Sequence, residues 1–236
     1  MIDIHALTII GGHYGSGKTE IAVNLAFQKK AEGKDVVLAD IDIVNPYFRS
    51  YEQRRPLEQK GIRVITGSLG GTADLPALPP ELGMMFDESD TMRIIDLGGD
   101  PVGARVLARY EDDLRELAFD FLVVLNANRP ETSTLEGASR MIDEIEAMSK
   151  QSISGIINNT HLLTETTVDD VLRGDQLARE LAAKTGIPYI MTATLAPLVP
   201  ALTPLVQVPI LPLTRHMLKP WEQEKPEGED YAWLHE

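Results

Sequence analysis

Short apolar runs recur along the chain, separated by longer stretches in which apolar residues return every three or four positions. The runs Leu7–Ile10, Asp35–Ala39, Arg63–Thr66, Arg93–Asp96, Phe121–Leu125, Gly155–Asn158 and Tyr189–Thr192 read as strands. Between them the spacing predicts helices over Thr19–Glu32, Ala104–Leu117, Thr132–Ser149 and Asp169–Thr185. A further helix is expected over Tyr51–Lys60, stopped by Gly61. The alternation predicts parallel βαβ units: an α/β, doubly wound, mainly parallel sheet of about seven strands with helices on both faces.

No linker interrupts this alternation across the 236 residues, so one domain is expected over residues 1–219. Residues 220–236 form an acidic tail carrying Trp221, Tyr231 and Trp233, expected to dock on the body. Leu195–Leu213 is apolar enough to suggest a membrane span. Its five prolines, at 197, 200, 204, 209 and 212, would break such a helix repeatedly, and the stretch reads as extended chain along the domain surface.

Charge narrows the partners. Thirty-six acidic residues against twenty-two Lys and Arg leave a formal charge of −14, which disfavours broad nucleic-acid binding and anionic membranes. The chain has no cysteine, so it holds no disulfide, thiolate metal site or cysteine-bound cluster. The N-terminal residues show no signal-peptide pattern, and a cytoplasmic location is expected.

The chemistry begins where the first strand ends, at "GGHYGSGKTE". Gly12, four residues, then Gly17-Lys18-Thr19 fits G-x-x-x-x-G-K-[ST] between a strand and a helix, as a P-loop NTPase fold requires. Glycines let the backbone curl into a nest of N–H groups for an anion, and the helix opening at Lys18 adds the positive end of its dipole. The stretch Gly12, His13, Tyr14, Gly15, Ser16, Gly17, Lys18, Thr19 and Glu20 is therefore the expected nucleotide cradle. Lys18 would reach the β- and γ-phosphates, and the Thr19 hydroxyl would ligate Mg²⁺.

Ligands of an open parallel sheet gather at the carboxyl ends of its strands. Asp96 ends the fourth strand and is expected to support Mg²⁺, while Gly98-Gly99 after it allows close backbone approach to a γ-phosphate. Asp40 and Asp42 follow the second strand on opposite faces. Asp42 is the expected orienter of the attacking water or substrate, with Asp40 supporting Mg²⁺ or the loop.

The P-loop, "DID" after the second strand, "DLGG" after the fourth and "NANRPETS" after the fifth together resemble the CobQ/CobB/MinD/ParA nucleotide-binding superfamily, over roughly residues 5 to 200. The resemblance implies that Asp42 positions water, that Asn158 contacts adenine, and that the segment at Ala196-Pro197 closes over the base. Many members carry an extra lysine that crosses a dimer to the partner's phosphates; here His13 stands at that place and Tyr14 replaces a glycine. Guanine selectivity typically uses N-K-x-D, and Asn158-Asn159-Thr160-His161 lacks that carboxylate, which favours ATP.

Together these features predict a Mg²⁺-dependent ATPase of the MinD/ParA-like class, a nucleotide-dependent switch for a protein partner or a second copy of itself. Two rivals remain. One is a ligase or kinase of the dethiobiotin synthetase type acting on a small molecule, with Asn45, Tyr47 and Arg49 beside Asp42. The other is a domain that binds nucleotide without hydrolysing it.

Overall fold

The computed structural model describes residues 3–41, 54–66, 80–87, 90–99 and 101–217. Asp42, Asn45, Tyr47, Arg49, the start of the helix expected at Tyr51, and the tail from 220 onward lie outside the described residues.

Among the described residues eight strands form one sheet: β1 (Leu7–Gly12), β2 (Val36–Ile41), β3 (Ile62–Thr66), β4 (Met92–Leu97), β5 (Phe119–Leu125), β6 (Gly155–Asn158), β7 (Tyr189–Leu195) and β8 (Ile210–Leu213). Their order is β3-β2-β4-β1-β5-β6-β7-β8, and every neighbouring pair is parallel. The longer helices are α1 (Lys18–Ala31), α5 (Leu135–Ser149) and α6 (Val168–Thr185). The shorter ones are α2 (Arg54–Gln59), α3 (Pro101–Ala104), α4 (Glu111–Arg115) and α7 (Val199–Leu202).

Successive side chains of a strand point to opposite faces, and the core divides accordingly. Ile9, Ile95 and Val123 face one layer, packed under Ile142 and Ile145 of α5 and Leu181 of α6. Ile10, Ile94 and Leu122 face the other, under Ile21 and Leu25 of α1 and Leu57 of α2. Strands buried on both sides are read as near-continuous apolar runs, which explains why seven of the eight were visible in the sequence.

The eighth strand lay inside the proline-rich stretch expected to run extended along the surface. That stretch instead holds a 3-10 turn (Ala196–Leu198), α7 and β8. Pro212 sits within β8, paired in register with Thr194. It is tolerated because β8 is an edge strand, where a missing N–H disturbs no ladder on the outer side. Leu211 and Leu213 still alternate inward, which anchors the strand.

Two helix expectations are corrected. Ala104–Leu117 is not one helix but α3, a 3-10 turn at Leu107–Tyr110, and α4. Tyr110 departs from helical backbone with φ −110° and ψ 22°, and Glu111, Asp112 and Asp113 favour a fresh N-terminus just after it. The helix expected from Thr132 starts at Leu135. The Thr132 hydroxyl is drawn away to the Asn126 carbonyl at 2.7 Å, and Thr134 caps the helix by accepting from the Gly137 N–H at 3.1 Å. At α6 the sequence rules hold: Thr167 and Asp170 form a reciprocal capping box, and Gly186 ends the helix at φ 77°.

β1 lies between β4 and β5: the chain leaves it through α1 toward β2 on one side, while the connection from β4 to β5 crosses it to the other. The crevice above such a strand is where an open parallel sheet offers room for a ligand, and β1 runs directly into the glycine-rich loop.

Candidate functional site

The loop from Gly12 to Gly17 joins β1 to α1, and its three glycines adopt φ of 140°, 72° and 87° at positions 12, 15 and 17. At Gly12 the reason is also steric: a Cβ there would stand 2.6 Å from the Val124 carbonyl on the paired strand. The loop's carbonyls are tied off by donors. Lys18 Nζ donates to the His13 carbonyl at 3.3 Å, Asn126 Nδ2 and Arg129 Nε to that of Gly15 at 3.3 and 2.9 Å, and Asn159 Nδ2 to that of Ser16 at 2.8 Å. Each of these carbonyls is thereby matched by a donor, which lessens its repulsion of an anion held by the loop.

At the edge of the loop the Thr19 hydroxyl donates to Asp96 Oδ2 at 2.6 Å. Asp96 ends β4 and is 1% exposed; Asp40 stands opposite it in register on β2 and is also buried. The tertiary structure thus brings together Lys18, Thr19, Asp96 and Asp40. Gly99, from the segment after β4, approaches so closely that a Cβ on it would lie 2.9 Å from Tyr14 Cα and 3.0 Å from Lys18 Nζ. Only hydrogen fits there.

Beside the loop opens a cavity of about 300 Å³. Tyr14, Gly15, Gly17, Lys18, Thr19 and Glu20 form one wall. Asn159, His161, Leu163 and Thr166 from the β6–α6 connection, Thr194 and Leu195 from the end of β7, and Arg129 line the rest, with residues that follow β8. Ser16 Oγ and Thr194 Oγ1 are buried without a hydrogen-bond partner among the described residues, and Thr194 lines the cavity.

Other expected residues lie elsewhere. Asn158 is fully buried and does not line the cavity: its amide donates to the Val171 carbonyl at 3.0 Å and its oxygen accepts from Thr160 N and Oγ1. The neighbouring Asn159 faces the cavity instead. Pro197 belongs to the 3-10 turn beyond β7 and is also not among the lining residues; Thr194 and Leu195 take that place. His13 turns to the outside, its Nδ1 3.3 Å from the Tyr14 carbonyl and 3.9 Å from a carboxylate oxygen of Glu131. Asn126, Arg129 and Asn159 were missed as site residues, although "NANRPETS" and the asparagine pair after β6 mark their segments.

Glu20 lines the cavity, yet its carboxylate is committed to the chain that follows β8. It accepts from His216 N at 2.7 Å and Met217 N at 3.0 Å, while Asn24 exchanges hydrogen bonds with both backbone groups of Thr214. Burial pushes the Glu20 carboxyl above its ordinary pKa, against those hydrogen bonds. This strap brings Arg215 to the cavity wall.

His161 is pulled down to a pKa of about 4, chiefly by burial and also by the positive charges of Arg129 and Arg215. Its Nδ1 accepts from Leu163 N at 3.3 Å, which assigns the proton of the neutral ring to Nε2, buried and without an acceptor among the described residues. The unfolded chain takes up this proton from about pH 6.5, the folded one only near pH 4. Stability is therefore full above pH 6.5 and falls as pH drops toward 4, by at most about 3 kcal/mol. Urea unfolding of the parent and His161→Gln at pH 7.5 and 5 should show the parent losing more; equal losses would contradict this assignment.

A glycine-rich strand–loop–helix at the centre of a parallel sheet, with Lys18 in the curl and a Thr–Asp pair beside it, defines a nucleotide-binding P-loop protein. The family model for the CobQ/CobB/MinD/ParA nucleotide binding domain matches residues 7–185, and the chain belongs to that family. No curated protein sequence matches it. Among solved structures it is similar to the cell division protein FtsY of Thermotoga maritima, at 22% identity and a TM-score of 0.57 over 82% of this chain and 64% of that one. Chloroplast FtsY of Physcomitrella patens gives 16% and 0.53 over 81% and 60%, and FtsY of Mycoplasma mycoides 17% and 0.52 over 81% and 63%. The chain spans about three fifths of the length of these proteins, and the likeness is one of fold. Among the described residues no helix is long and apolar enough to cross a membrane.

Proposed function

We propose that the protein is a Mg²⁺-dependent ATPase whose nucleotide state governs contact with a protein partner or a second copy of the chain. The observation that carries the reading is the 2.6 Å contact between Thr19 and Asp96 beside a buried Lys18. Hydroxyl and carboxylate are hard oxygen donors, suited to Mg²⁺, which keeps most of its waters and takes one or two protein oxygens besides the phosphates. When bound, the ion supplies positive charge to the phosphate oxygens.

ATP rather than GTP is supported by the far wall of the cavity. Leu163, Thr166, Thr194 and Leu195 offer no carboxylate for the donor edge of guanine, and Glu20 is held by the strap. Asp42 is proposed to orient the attacking water, with Asp40 supporting the metal side.

Phosphate release from purified protein tests the reading. Release is expected with Mg·ATP, less with Mg·GTP, none with a chelator, and about tenfold less in Asp42→Ala. Binding without release would leave a nucleotide-binding module; ADP formed without free phosphate, in the presence of a small acceptor, would point to a kinase or ligase.

A further inference from the structure

The cavity holds more positive charge than the phosphate loop alone provides. Besides Lys18 it is lined by Arg129, from the turn after β5, and Arg215, from the strap after β8. Both charges act on His161, which together with burial keeps that ring neutral. In a chain of formal charge −14 this concentration is local, set by where the backbone places three side chains.

Arg129 is held against the loop itself. Its Nε donates to the Gly15 carbonyl at 2.9 Å, and its guanidinium packs so tightly that a Cβ on Gly15 would stand 2.6 Å from its carbon. A guanidinium carries five N–H donors in one plane, and this bond uses one. Its terminal nitrogens form no hydrogen bond or ion pair with another described residue. A staple on Gly15 would not need a charge, because the neutral amide of Asn126 already donates to the same carbonyl. What the arginine adds is a fixed cation with donors left over at the cavity wall. Phosphate oxygens are the ligand atoms that match such a planar fork.

We infer that Arg129 binds the phosphate chain of the nucleotide from within the same chain, as a second side-chain cation beside Lys18. The inference rests on the nucleotide reading above. Arg129 is rigidly placed by the Gly15 contact, so little of its freedom remains to be lost on binding.

Titration calorimetry with Mg·ATP, Mg·ADP and adenosine, at several salt concentrations, tests it on the parent, Arg129→Gln and Arg129→Lys. The glutamine variant keeps a donor for the Gly15 carbonyl but loses the charge. It should weaken ATP and ADP by at least about tenfold, leave adenosine unchanged and flatten the salt dependence. Arg129→Lys should stay closer to the parent and keep the salt dependence. A glutamine variant that binds ATP within about twofold of the parent would overturn the inference. So would equal losses for ATP and adenosine, the mark of a loop staple. Where thermal melting shows Arg129→Gln unfolded, the lysine variant decides, and a lysine variant without salt dependence overturns it. A parent that binds no nucleotide refutes the nucleotide reading itself, before any variant is compared.

Discussion

Replacing Lys18 with alanine is expected to weaken Mg·ATP binding by about thirtyfold to several thousandfold. That range follows from removing one partner of a buried, hydrogen-bonded charge pair, which costs about 2–5 kcal/mol at about 1.4 kcal/mol per tenfold. Lys18 is only 6% exposed, and its ammonium lies over the loop, 3.3 Å from the His13 carbonyl and against Gly99. The charge is thus already in place before a ligand arrives, and alanine leaves a hole in the part of the loop built for an anion. The fold should survive, because α1 is anchored by Ile21, Leu25 and Ala26 and not by this side chain. Titration calorimetry of parent and variant measures the effect. An affinity within a few-fold of the parent would remove the loop from nucleotide binding altogether.

The second large effect concerns the metal. Asp96→Asn should raise the Mg²⁺ concentration needed for half-maximal hydrolysis by about 10- to 100-fold, the range typical of groups that support a metal's ligands. Asparagine has the same shape in a site that is 1% exposed, and its oxygen can still accept from the Thr19 hydroxyl. Only the charge is lost, so ATP binding measured without Mg²⁺ should change little. A Mg²⁺ titration that superimposes on the parent's would remove Asp96 from the metal site. Hydrolysis is the informative readout because a bound Mg²⁺ would supply its charge to the phosphate oxygens in that step.

Reading the chain by its patterns located the sheet well and the site unevenly. Strands buried on both faces announce themselves as apolar runs, and the P-loop has a spacing that backbone geometry and phosphate chemistry enforce. Thr19 and Asp96, each expected on the metal side, do meet, at 2.6 Å, because one opens the helix after the loop and the other ends the neighbouring strand β4. Asn158 and Asn159 show the opposite case. Adjacent, identical residues at a strand end point to opposite faces, and only the packing of α6 under Asn158 and of the loop over Asn159 decides which one meets the cavity.

The segment "NANRPETS" stands out in the sequence, but nothing within it singles out Arg129. It enters the site because β5 is the neighbour of β1, which sets the turn after Leu125 beside Gly15. The same holds for the strap: Glu20 and Thr214 to Met217 are nearly two hundred positions apart in sequence and meet only because β8 extends the sheet.

Sequence alone therefore determined the parallel α/β class, the phosphate loop with Lys18 and Thr19, and the acidic strand end at Asp96, since each follows from periodicity or from spacing within a few residues. Tertiary structure alone decided the eighth strand, the broken helix after Pro101, the choice of Asn159 over Asn158, and the arrival of Arg129 and Arg215 at one cavity. Those features depend on which strands lie side by side and which face each residue turns, and such long-range pairings leave no period in the chain.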